Sequence, residues 1–161
     1  MQQTAPQRRL AAILAADVVG FSRMMGADED GTLARLKRLR EELTDPAIAE
    51  FRGRIVKTTG DGFLAEFPSV VDAVQCAAKV QVEMARRNSG AAAEPPERRL
   101  VFRMGINLGD VIVEGDDLYG DGVNVAARLE SIASPGGIVL SRQVHDHIGA
   151  NVPVQVVSIG E

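Results

Sequence analysis

Leu10 to Val19, LAAILAADVV, is apolar at every position but one and stops at Gly20, so it predicts a buried strand interrupted by a single acid, Asp17. After it the period changes. Asp28 and Asp30 precede Leu33, Leu36, Leu39 and Leu43, whose three- and four-residue intervals predict a helix with acids at its N-terminus. Arg54 to Thr59 and Gly62 to Phe67 are short β-type runs around Gly60-Asp61, which predicts a hairpin with a carboxylate at its tip. Pro68 opens a second helix with Val70, Val74, Ala77, Ala78 and Val82 on its apolar face. Asn88 to Pro96, NSGAAAEPP, is turn-rich, and 89–98 is expected to be a mobile loop inside the domain. Leu100 to Ile106 and Val111 to Val113 predict another strand pair around Asn107 to Asp110, followed by a short helix from Gly122 to Ser131 and a strand from Gly136 to Leu140. The alternation of strands, hairpins and helices predicts an α+β fold, a mixed sheet with helices on one face.

Composition narrows the function. The 161 residues, 45% hydrophobic and 25% charged, suit one soluble domain over 1–161 with a single core. A formal net charge of −4 supplies no general attraction for a polyanion, and 4% aromatics with no Trp supply no stacking surface, so nucleic acid is not an expected partner. The one cysteine, Cys76, cannot form an intramolecular disulfide, which points to the cytoplasm. Arg8-Arg9 before Leu10 to Ala16 imitates a short signal peptide, yet the run continues past Asp17 and so reads as a strand. Nothing approaches the ~20 apolar residues of a membrane span, and no membrane contact is expected of this domain.

A carboxylate in an apolar strand needs compensation. Asp17 is therefore either a strand-end group accepting backbone N–H bonds or a metal ligand, with Val18 to Phe21 offering N–H groups to a phosphate. Asp61 carries the same ambiguity, since Gly-Asp is ordinary turn chemistry. Two carboxylates at the ends of neighbouring strands would suit magnesium, which needs few protein ligands when a substrate brings phosphates. Lys57, four residues before Asp61, could equally be a solvated edge residue. Asn124 and Arg128 share a helix face by their i, i+4 spacing, and Asp117-Leu118-Tyr119-Gly120 leads into that helix. Cys76 lies within the second helix with no paired His apparent, as a small core residue would.

Taken together, Asp17-Val18-Val19-Gly20-Phe21-Ser22, Lys57-Thr58-Thr59-Gly60-Asp61-Gly62, and Asp117-Leu118-Tyr119-Gly120 with Val123-Asn124-Val125-Ala126-Ala127-Arg128 resemble the motifs of class III adenylate and guanylate cyclase catalytic domains. The resemblance runs from about Leu10 to Leu140 and implies a ferredoxin-like βαββαβ-type sheet in its nucleotidyl cyclase variant. It also implies that Asp17, Asp61 and the Val18 carbonyl hold two magnesium or manganese ions, while Val19, Gly20, Phe21 and Ser22 contact a triphosphate. Asn124 would orient the ribose and Arg128 would stabilise charge on the α-phosphate as a 3′,5′-cyclic nucleotide and pyrophosphate form. A lysine donor at Lys57 and a carboxylate acceptor at Asp117 match N1 and the 6-amino group of adenine, so ATP is the expected substrate.

The family divides its functional residues between two chains. By that resemblance a homodimer is required, with Asp17 and Asp61 from one subunit and Lys57, Asp117, Asn124 and Arg128 from the other. Members also continue into a strand bearing a triphosphate lysine shortly after a Gly-Glu such as Gly160-Glu161, where this sequence stops. That strand is expected to be absent here, and a longer parent chain with a regulatory domain would explain the break. Two other functions compete: a catalytically silent nucleotide-binding or dimerisation module, and a diguanylate cyclase, whose hairpin motif TGDGF resembles superficially.

Overall fold

A computed structural model describes residues 7–149, and the expected break at Gly160-Glu161 lies outside them. The apolar run forms β1 (Gln7–Val18), buried on both faces from Ala11 to Ala16, which is why its alternation is invisible in sequence. It lies between β3 (Gly62–Phe67) and β4 (Phe102–Glu114), antiparallel to both. β2 (Arg54–Thr59) extends the sheet beyond β3, β5 (Asp117–Tyr119) extends it beyond β4, and β6 (Ile138–Leu140) pairs with β4 in parallel. The order β2-β3-β1-β4-β5 with that one parallel pair is the mixed sheet expected from the pattern.

A helical layer covers one face. Short α1 (Phe21–Ala27) leads to α2 (Glu29–Leu39), which passes through a π turn at Arg40–Thr44 into α3 (Asp45–Glu50). Asp28 caps α2 by accepting the Gly31 N–H at 3.0 Å, as the acids there suggest. α4 (Val70–Ser89) begins two residues after Pro68, with Ser69 as its cap, and α6 (Arg142–Ile148) completes the layer. Ala12, Leu14, Ala16 and Val18 face these helices, packed against Val74, Ala77 and Val80 of α4. At the C-terminal end of β1, Phe63 and Phe102 meet edge-to-face with ring centroids 5.9 Å apart. That contact pins the strand end carrying Asp17.

The opposite face is covered by one helix, α5 (Asp121–Ser131), against which Ile13, Ala15 and Val111 pack through Ala126. It approaches β4 almost backbone to backbone. A Cβ on Gly105 would lie 2.3 Å from the Glu130 nitrogen and 2.6 Å from the Ala126 carbonyl oxygen, and one on Gly122 would lie 2.6 Å from the Asp110 carbonyl oxygen. The strand pair expected around Asn107 to Asp110 is corrected by this packing, because β4 runs unbroken through those residues. Asn107 is buried and donates its Nδ2 hydrogen to the Gly122 carbonyl at 3.0 Å, so its amide docks a helix instead of making a turn.

The sheet also curls. Although β2 and β5 are its two edges, they touch. Arg54 of β2 donates to the Asp116 carbonyl at 3.0 Å and, with Arg9, holds the buried Glu66 carboxylate well below its ordinary pKa. Overpacking at the helix contact gives a direct check. Gly105→Ala is expected to destabilise the domain by about 2–3 kcal/mol, read as a lower urea midpoint, because fixed backbone occupies the space its methyl needs.

Candidate active site

Register places Asp17 between Gly62 of β3 and Arg103 of β4, so the hairpin tip brings Asp61 beside it. The Val18 N–H donates to the Asp61 carbonyl at 3.1 Å, which ties the hairpin to the strand end. Arg103 closes on Asp17 with two hydrogen bonds, Nε to Oδ1 at 3.2 Å and Nη2 to Oδ2 at 3.0 Å. The strand-end carboxylate thus has a guanidinium partner, which no local sequence pattern around Asp17 announces. Burial and the Asp17 charge push the Asp61 carboxyl above its ordinary pKa, against the pull of its own backbone hydrogen bond and of Arg103. A carboxylate whose ionisation is opposed by a neighbouring carboxylate marks a site short of positive charge.

Glu130 joins this cluster from the last turn of α5. It is only 9% exposed, and its carboxyl is pushed up to about 8, first by burial and then by hydrogen bonding to Asp17 and by the Asp17 charge. Neither Arg103 nor Glu130 is among the residues singled out from sequence. Each sits in a short stretch of mixed polarity, RMGIN and ARLES, that carries no motif, so a lone charge at a sheet or helix face was the available signal. Among the described residues no three His, Cys, Asp or Glu side chains form a metal cluster, so Asp17 and Asp61 are a pair. A pair suffices for a hexacoordinate hard cation that keeps waters and takes phosphate oxygens. The donor set therefore fits magnesium or manganese once Arg103 yields Asp17.

The backbone donors expected around a phosphate divide in two. The N–H groups of Val18 and Val19 are committed to the Asp61 and Val101 carbonyls, the latter at 2.8 Å. Gly20, with φ 68°, turns the chain left-handed into α1, where Phe21 and Ser22 begin a first turn with no capping side chain.

A second cluster forms where the sheet edges touch. Lys57 Nζ lies 3.0 Å from Asp117 Oδ1 and 5.1 Å from the centre of the Tyr119 ring. Hydrogen bonds from Lys57 and then Tyr119 hold the Asp117 carboxyl below its ordinary pKa. Asp117 also accepts the Leu118 N–H at 2.7 Å. Asn124 and Arg128 lie one turn apart on α5, both exposed, and neither side chain has a hydrogen-bond partner among the described residues. One chain brings Asp17 to Asp61 and Lys57 to Asp117, and among the described residues no hydrogen bond or ion pair links one pair to the other: Asp17 is held by Arg103 and Asp117 by Lys57. Cys76 is fully buried and burial pushes its thiol up to about 12, which removes it as a nucleophile.

Glu130 generates a pH-dependence of stability. Its folded pKa of about 8 lies above the 4.5 of a free side chain, so the folded state holds the extra proton and stability falls as pH rises between those values. Glu130→Gln should remove that slope, so urea midpoints of the metal-free proteins should diverge progressively from pH 5 to about 8 in the variant's favour.

Residues 4–159 match the family described as the adenylate and guanylate cyclase catalytic domain. The chain is 46% identical over 160 residues to "Putative adenylate cyclase 3" of Rhizobium meliloti, covering 99% of this chain and 27% of that protein. It is 33% identical over 133 residues to an adenylate cyclase of Streptomyces coelicolor, covering 83% of this chain and 32% of that one. The chain thus spans about a third or less of these relatives. A crystal structure of an adenylate/guanylate cyclase/hydrolase from Silicibacter pomeroyi superposes with a TM-score of 0.88 at 46% identity, covering 97% of this chain and 89% of that one. The catalytic core of a rhodopsin-guanylyl cyclase with converted specificity, in complex with ATPαS, gives 0.78 at 27% identity, covering 92% and 86%.

Proposed function

The chain belongs to the adenylate and guanylate cyclase catalytic domain family, and from that premise we propose that it is an adenylate cyclase, turning ATP into 3′,5′-cyclic AMP and pyrophosphate. The observation that carries the choice of base is the Lys57–Asp117 pair at 3.0 Å. An ammonium donor beside a carboxylate acceptor is complementary to adenine N1 and the 6-amino group, and it mismatches guanine at both positions. The structure with ATPαS bound belongs to a relative whose specificity was converted, so it supports the fold's capacity for ATP without deciding this chain's base.

The remaining roles follow from placement. Asp17 and Asp61, with the Val18 carbonyl, present oxygen ligands at the C-terminal end of β1. Asp17 and Asp61 would hold magnesium or manganese, two ions per site, which when bound would supply Lewis acidity to the ribose 3′-hydroxyl and neutralise triphosphate charge. The N–H groups of Gly20, Phe21 and Ser22 donate to phosphate oxygens, while the Val19 N–H stays on the Val101 carbonyl. Asn124 orients the ribose, and Arg128 meets the charge that builds on the α-phosphate as the 3′-oxygen attacks and pyrophosphate departs.

As the family resemblance implies, each site would be composed of Asp17 and Asp61 from one subunit and Lys57, Asp117, Asn124 and Arg128 from a second copy. No helix among the described residues is long and apolar enough to cross a membrane, and the domain acts in the cytoplasm, where ATP is available. In a parent chain the remaining length would carry regulation.

Two experiments test the assignment. Lys57→Glu should lower kcat/KM for ATP roughly 100-fold, the cost of replacing a charged hydrogen bond by repulsion, while leaving melting temperature unchanged. Retained ATP turnover, or a cyclic dinucleotide made from GTP by the wild type, would refute the assignment; a purified dimer that binds ATP and manganese without turnover would mark a silent module. Separately, Asp61→Ala and Arg128→Ala proteins should each be inactive, and their mixture should recover about a quarter of wild-type activity, since half the dimers then hold one intact site. A mixture as dead as its components would show that the sites are not shared.

A further inference from the structure

Six guanidiniums, from Arg35, Arg38, Arg86, Arg87, Arg98 and Arg99, line one cavity of about 470 Å3 between α2, the C-terminal turn of α4 and the loop before β4. The chain has only 18 basic residues and a net charge of −4, so this is a third of its cations gathered on one surface of an acidic domain. Only two carboxylates, Glu42 and Glu94, share the lining. Like charges converge at a cost unless a counter-ion separates them.

The existing partners leave that demand unmet. Arg86 is paired with Glu83 at 2.6 Å along its own helix, Arg87 stands 3.7 Å from Glu42, and Arg99 donates to the Glu94 carbonyl at 2.8 Å. Arg35 donates through Nη2 to Thr32 Oγ1 at 3.1 Å and reaches Asp28 only at 3.9 Å, while its Nε is buried with no hydrogen-bond acceptor. Arg38 and Arg98, on opposite walls, have no ion pair or side-chain hydrogen bond among the described residues. Beneath them Leu39, Met84 and Leu100 form a buried apolar floor.

We infer that this cavity is a binding site for a small phosphate-bearing anion, distinct from the Asp17 and Lys57 clusters. Arginine forks match phosphate oxygens two at a time, the apolar floor accepts the body that bears them, and the volume suits a metabolite-sized ligand. Leu100 in its floor precedes Val101, whose carbonyl holds the Val19 N–H, so a ligand here touches the segment that anchors the turn at Gly20. The inference does not depend on the cyclase assignment.

Calorimetric titration of the purified chain with inorganic tripolyphosphate, in EDTA to exclude metal-dependent binding at Asp17, tests it. One saturable site per chain is expected, weakened at least about tenfold in an Arg38→Gln/Arg98→Gln variant and unchanged in Asp17→Ala, with melting temperatures confirming folded proteins. Tripolyphosphate should also slow phenylglyoxal labelling of Arg38 and Arg98 in the wild type, a readout that needs no variant. Absence of saturable binding, equal affinity in the double variant, or loss of binding in Asp17→Ala would overturn the site, as would labelling of both arginines that ignores the anion. Vesicles distinguish the source of the phosphate. Cosedimentation with phosphatidic acid in phosphatidylcholine that needs both arginines assigns it to a lipid headgroup, and tripolyphosphate binding without cosedimentation assigns it to a soluble metabolite.

Discussion

Arg54 and Lys57 leave edge strand β2 and reach Asp116 and Asp117 beside edge strand β5, so the two ends of a five-strand path meet. That closure depends on twist accumulating across β3, β1 and β4. The strand at its centre is built of alanines, Ala11, Ala12, Ala15 and Ala16, which let neighbours on both faces come close. Lys57 and Asp117 are sixty residues apart in the chain, and only the curl makes them a donor and acceptor pair. Without it the pair proposed to read the base would be two solvated side chains on opposite edges.

The same sheet holds the carboxylates at a different place. β1 delivers Asp17 against Arg103, the hairpin tip delivers Asp61, and α5 delivers Glu130, each from a separate element. The helix can do so because glycines at 105 and 122 let its backbone settle on β4. In the absence of metal a guanidinium supplies the positive charge that Asp17 needs, and a raised pKa lets Glu130 stay protonated beside it. A divalent ion held at Asp17 would have to compete with Arg103 for that carboxylate. The cationic cavity behind α2 and α4 presents the opposite imbalance, arginines lacking anions, and its floor adjoins the strand that anchors the turn at Gly20.

Much of the architecture was legible from periodicity because the determining interactions are local. Asp28 caps α2, the β2–β3 hairpin turns at Gly60-Asp61, and the apolar stripe of α4 packs on the sheet, all within reach of neighbouring residues. β4 was not legible as one strand, since Asn107, Gly109 and Asp110 have the composition of a turn. In the folded chain Asn107 spends its amide on the Gly122 carbonyl and Gly109 makes room for α5, so the helix explains what looked like loop residues.

The sequence by itself determined the element order, the buried acid in β1 and, through three motifs in family-like order, the class of chemistry. It contained Asp17, Asp61, Lys57 and Asp117 as separate ambiguous residues, each with an ordinary structural explanation. The folded chain adds which of them meet, Asp17 with Asp61 and Lys57 with Asp117, and that Arg103 and Glu130 join the first pair. The physical reason is that strand register and sheet curvature are set by packing across the whole sheet, and a charge's partner in a β-protein is chosen by register, not by its sequence neighbours.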